Sequence, residues 1–135
     1  MTAKEFLAQG RWIDKRIEFK LEEVERLHAK LTTGRMARLT GMPRGGKGVD
    51  FADSIAQVIA LEEQINAEIK KLCTVKRQII EAIAAVEDMR YRTLLEYRYR
   101  NDMQFDCIAK CMGYDNRQIL RLHGEALRRI KVPGQ

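Results

Sequence analysis

The sequence predicts an all-α protein: a long antiparallel, coiled-coil-like helical hairpin followed by a C-terminal helix-turn-helix. Three observations predict it. Apolar residues recur at heptad spacing from Val58 to Val86. Two short amphipathic segments flank a tight-turn signal at Gly113-Tyr114-Asp115. The composition is rich in helix formers, and only two of the 135 residues are proline, so little interrupts a helix.

The first element is expected from about Thr2 to about Leu31. Thr2 and Glu5 have capping-box spacing, in which each side chain satisfies an orphan amide of the first turn. Phe6, Ile13, Ile17, Leu21, Val24, Leu27 and Leu31 then fall on one helical face. Gly10 weakens this helix by about 1 kcal/mol relative to Ala, which makes it a point of kinking. Residues 32–49 are expected as a loop, because they hold five of the nine glycines and Pro43.

Asp50 is the expected N-cap of a second long helix, from about Phe51 to Val86. Val58, Ile65, Leu72, Ile79 and Val86 repeat every seven residues, with companions Ile55, Glu62, Ile69, Lys76 and Ile83. This is a heptad seam with two polar interruptions, and Glu62 and Lys76 are placed to pair across helices or set register. A helix of roughly 50 Å cannot bury its seam against a small domain. The first helix is the nearest long partner, which gives a hairpin. A parallel coiled coil between two chains is the alternative. These elements define an arm over residues 1–86.

Residues 87–135 form the second expected domain. Met89, Leu94, Leu95 and Tyr99 mark one helix, and Phe105, Ile108 and Met112 a second. Asp115 and Gln118 have N-cap and N3 spacing, and Ile119, Leu122, Ala126, Leu127 and Ile130 mark a third. A helix-turn-helix needs a small residue where its helices cross, a Gly at the turn and two apolar residues inside the second helix. Ala109, Gly113, Ile119 and Leu122 meet these demands. The outward face then carries Asn116, Arg117, Leu120 and Arg121, with Arg128 further along. Arg and Asn are suited to bidentate bonds with guanine and adenine edges.

The charge agrees with an anionic partner. Formal net charge is +6, and no acid lies between Glu25 and Asp50. That stretch holds Arg35, Arg38, Arg44 and Lys47, which are candidate phosphate contacts. No window approaches 18 apolar residues, so no transmembrane helix is expected. The first nine residues carry no apolar core of a secretory leader, and three cysteines do not make a disulfide framework. Together these point to a reducing cytoplasm.

The strings Leu94-Leu95-Glu96-Tyr97-Arg98-Tyr99, Phe105-Asp106-Cys107-Ile108-Ala109, Gly113-Tyr114-Asp115-Asn116-Arg117-Gln118-Ile119 and Arg121-Leu122-His123-Gly124-Glu125-Ala126-Leu127 resemble sigma-70 region 4. More closely, the chain resembles the phage-encoded DUF1492 proteins, relatives of the RinA and ArpU late-gene regulators. Met42-Pro43-Arg44-Gly45-Gly46-Lys47 with residues 53–62, and the leading helix Phe6 to Thr33, extend the likeness over nearly the whole chain. The resemblance implies a phage or prophage transcriptional regulator with a recognition helix carrying Asn116, Arg117, Leu120 and Arg121. It implies double-stranded DNA as partner and bacterial RNA polymerase as a second one. Two departures stand out. Gln104 replaces the usual Ser before the aromatic residue, which puts Asp102 forward as the cap. Cys107 and Cys111 stand where polar residues are more usual.

Other chemistry is weaker. Gly41 to Lys47 matches most of a P-loop, but Gly48 replaces the magnesium-binding Ser or Thr and no strand precedes it. Cys107, Cys111 and His123 lack zinc spacing, so no metal or cofactor is expected. Cys73, Cys107 and Cys111 are expected as buried thiols. Trp12 is expected as a packing anchor, and the tyrosine hydroxyls as reaching solvent or phosphate. One Ser and two His offer no catalytic arrangement, so no enzyme is expected. One small DNA-binding module binds weakly, so a homo-oligomer is expected, most simply a dimer. Two rivals remain: a small-terminase-like packaging protein, against which the C-terminal position of the motif counts, and a polymerase-interaction module without specific DNA binding.

Overall fold

A computed structural model describes the backbone of residues 1–39 and 48–134, and the side chains of residues 1–31 and 52–134. The described residues are helical and contain no strand. In order they are α1 (Ala3–Ala8), α2 (Gly10–Leu39), α3 (Gly48–Ala84), α4 (Met89–Leu95), a π-helical turn (Glu96–Arg100), α5 (Phe105–Met112) and α6 (Asn116–Arg128).

The expected capping box starts α1: Thr2 Oγ1 accepts from Glu5 N at 3.1 Å, and Glu5 accepts from Thr2 N at 3.3 Å. The first helix then breaks at Gln9, beside the expected kink. Gly10 has a tertiary reason to be glycine. A Cβ there would stand 2.9 Å from the Tyr99 carbonyl oxygen, with Ile79 methyl groups just behind at 3.5 and 3.6 Å.

The long helices run further than their sequence suggests. α2 continues to Leu39 and α3 begins at Gly48, so the expected loop over 32–49 shortens at both ends. A glycine such as Gly34 costs about 1 kcal/mol without breaking a helix already propagated. Asp50 therefore lies within α3 rather than capping it.

Packing divides the chain into two compact units, Met1–Asp14 with Cys73–Gln135, and Lys15–Leu72. The division cuts through α2 and α3. The reason is that Phe6, Leu7 and Ile13 from the start of the chain, and Ile79 and Ile83 from α3, are buried in the first unit's core. With them are Val86, Leu94, Leu95, Ile108, Ile119, Leu122, Ala126 and Ile130. Asp88 caps α4, its carboxylate accepting from Arg90 N at 2.9 Å and from the Arg90 guanidinium at 3.0 Å. The Arg90 hydrogen bonds hold this carboxyl below its ordinary range. Arg92 Nε donates to the Val86 carbonyl at 2.9 Å, satisfying an acceptor just past α3. Lys76 pairs with Asp14 at 2.5 Å.

In the Lys15–Leu72 unit, Lys20 pairs with Glu68 at 2.6 Å and His28 with Glu62 at 3.0 Å. Seam residues Ile17, Val24, Leu27, Val58, Ile69 and Leu72 are half-buried, and Ile65 is buried. Leu21 departs from the expected seam and is exposed, as are Phe19, Ile59 and Leu61. In the other unit Trp12 is 58% exposed, which overturns its reading as an anchor. It lies one residue before buried Ile13, about 100° around the helix and off the packed face.

Candidate nucleic-acid interface

The C-terminal unit presents one helix outward, and its sequence dictates how. α5 ends on Gly113, which adopts a left-handed conformation with φ +76°. A side chain at this φ clashes with the following carbonyl, so glycine is the residue that turns the chain here at least cost. The Gly113 and Tyr114 amides both donate to the Ala109 carbonyl, the latter at 2.9 Å. Ala109 itself is buried, as a close helix crossing requires. Two residues later Asp115 starts α6 with a complete capping box. Gln118 N donates to Asp115 Oδ1 at 2.8 Å, and Asp115 N donates to the Gln118 carboxamide oxygen at 3.2 Å.

The inner face of α6 buries Ile119, Leu122, His123 and Ala126. With about 100° per residue, the opposite side carries Arg117, Arg121, Gly124 and Arg128. Asn116, Arg117, Arg121 and Arg128 are exposed or partly so, and Leu120 is 55% exposed. All five expected α6 residues therefore reach solvent. None of the three arginines makes an ion pair with another described residue. The one acid of α6, Glu125, accepts the Tyr91 hydroxyl hydrogen at 2.7 Å. The arginine face is thus cationic without a counter-ion among the described residues.

Beneath it lies a polar contact inside an apolar core. His123 is 7% exposed, and its Nε2 lies 2.6 Å from the Tyr99 hydroxyl. The His123 ring stacks on Tyr99 at 5.7 Å and meets Phe105 edge-on at 4.8 Å. The Arg98 guanidinium covers the other ring partner, 4.1 Å from the Phe105 centroid. Burial, and secondarily the charges of Arg98 and Lys4, push His123 down to about 4, so the ring is neutral near pH 7. Burial raises Tyr99, so its hydroxyl keeps its hydrogen, and the direction of its bond to the neutral imidazole follows the ring tautomer. Residue type alone marks His123 only as a weak metal candidate. The signal that finds its packing role is its position between Leu122 and Ala126, on the inner stripe of α6.

Several other expectations change. The hydroxyls of Tyr91 and Tyr99 bond to Glu125 and His123, not to solvent or phosphate. Gln104, not Asp102, occupies the N-cap of α5, without a side-chain bond. Asp102 instead takes φ +53° and pairs with Arg11. Cys73, Cys107 and Cys111 are exposed, because each falls outside the buried stripe of its helix. Among the described residues, no group of three or more His, Cys, Asp or Glu is placed to hold a metal ion. No helix among them is long and apolar enough to cross a membrane. The candidate phosphate contacts Arg35, Arg38, Arg44 and Lys47, and the P-loop-like stretch, lie outside the residues whose side chains are described.

One family model, described as a protein of unknown function (DUF1492), matches residues 30–131. No curated protein and no solved structure matches the chain.

Proposed function

This chain belongs to the DUF1492 family, and we propose that it is a phage or prophage transcriptional regulator that binds promoter DNA, with late genes as its targets. In this reading α5, the Gly113 turn and α6 form a helix-turn-helix like that of sigma-70 region 4. α6 is the recognition helix. The observation that carries the reading is the outward face of α6, where Arg117, Arg121 and Arg128 reach solvent without counter-ions among the described residues. Free guanidinium groups on a rigid helix suit the donor and acceptor pattern of a major groove. The protein acts by binding, without a catalytic step.

The α2/α3 unit serves in this reading as an antiparallel hairpin that joins copies of the chain. The ion pairs Lys20–Glu68 and His28–Glu62 support the antiparallel direction. Exposed Phe19, Leu21, Ile59 and Leu61 supply apolar surface for a second copy. Dimerisation doubles the DNA contacts and lets the protein read a two-part site. Bacterial RNA polymerase is the protein partner that the sigma-like resemblance suggests.

The test is DNA binding against salt and sequence, using promoter-proximal fragments of the source genome. Arg117→Ala and Arg121→Ala should each cost about 1–3 kcal/mol at the specific site, with less effect on random DNA. Equal binding of every sequence by the wild type, or no binding, refutes the proposal. Ring-like stoichiometry in solution would favour a packaging role instead.

A further inference from the structure

Gly124 sits inside α6, where glycine is the poorest helix former short of proline. It is the ninth residue of a 13-residue helix, in line with Arg117, Arg121 and Arg128 at steps of four, three and four. Gly10 and Gly113 have internal reasons to lack a side chain: a carbonyl 2.9 Å away in one case, a left-handed φ in the other. Gly124 has neither. Its φ is that of an ordinary helix, and a Cβ built on it meets nothing within 4 Å. Helix propensity favours alanine there, and no contact among the described residues accounts for the glycine.

We infer that Gly124 is the seat of a DNA sugar-phosphate strand: the point where the α6 backbone comes closest to the nucleic acid, with the base-reading Arg117 and Arg121 on one side and Arg128 gripping a phosphate on the other. This inference rests on the DNA-binding reading above and deepens it. Gly124 lies about 12 Å along the axis from Asn116, eight residues at the helical rise. The major groove is about 12 Å wide. A helix whose first turns read bases therefore reaches the flanking strand near Gly124. A side chain at that point would hold the backbone away from the phosphates, and the absence of one lets Arg128 reach them. Those contacts position the helix and carry no sequence information.

The test compares wild type with Gly124→Ala and Gly124→Leu, measuring thermal stability and binding to a random-sequence duplex over a salt series. Random DNA is the apt probe because the proposed contact is to the backbone. Gly124→Ala should raise Tm by a few degrees, since alanine is the better helix former. It should also weaken binding about tenfold, the effect of removing one charge-assisted hydrogen bond, and Gly124→Leu should weaken it further. The dependence of log affinity on log salt should become shallower by about 1, the slope that one neutralised phosphate contributes. A stabilised Gly124→Ala protein that binds random DNA with unchanged affinity and salt slope, while Arg117→Ala weakens binding to a promoter-proximal fragment, overturns the seat and leaves the DNA-binding reading standing. A wild type that binds no DNA overturns both.

Discussion

The buried His123 ties the stability of the C-terminal unit to pH. In the folded chain its imidazole titrates at about 4, against an ordinary 6.5. The dominant cause is burial, which agrees with the 7% exposure of the residue and makes solvent screening small. Between those two values the unfolded chain takes up a proton that the folded chain refuses. Stability therefore rises with pH across this window. It is complete above about 6.5, is lost as pH falls, and levels off below about 4. A difference of this size corresponds to about 3 kcal/mol. Depressed carboxylates such as Asp88 and Glu68 lose their stabilising contribution at lower pH, beneath the ordinary carboxylate range, so they leave most of the window clear. The assay is urea unfolding at a series of pH values for wild type and His123→Phe, with the imidazole followed by NMR. The wild type should lose about 3 kcal/mol between about pH 7 and about pH 4. The variant, weakened throughout by its unpartnered Tyr99 hydroxyl, should show little slope there. Parallel curves, or an imidazole that titrates near its ordinary value, would refute the reasoning.

Gly10→Ala should destabilise the protein by about 1–2 kcal/mol in chemical denaturation. The Cβ must push the Tyr99 carbonyl from 2.9 Å, and this outweighs the better helix propensity of alanine. An unchanged or stabilised variant would show that the close approach is not required. The contrast with Gly124→Ala is informative, because the same chemical change is expected to have opposite signs at the two positions. Asp115→Ala removes the bond that Gln118 N donates to Asp115 Oδ1 at the start of α6, leaving the backbone bond to Gln118, and should cost about 1 kcal/mol, read as a lower urea midpoint with unchanged m.

What the sequence alone determined is local. The capping boxes at Thr2 and Asp115 are legible because a cap and its partner lie three residues apart, within reach of one turn. Gly113 is legible because a turn between two amphipathic segments needs a residue tolerant of positive φ. The inner stripe of α6 is legible because helical periodicity separates Ile119, Leu122 and Ala126 from Arg117, Arg121 and Arg128. Family membership is legible through the same strings.

The tertiary structure decided whatever depends on residues far apart in the chain. Periodicity names a face for Leu21 but cannot show that the partner helix leaves it uncovered. Residue type points Trp12 and the three cysteines inward, yet each lies outside its helix's buried stripe, and position outweighs type. Gly10 is a weak point in a helix until Tyr99, far along the chain, comes within contact of it. His123 is a loose polar residue until Tyr99 and Phe105 close around it. The packing division inside α2 and α3 has the same origin: a helix is made by neighbours in sequence, but a core is made by whichever apolar faces meet in space.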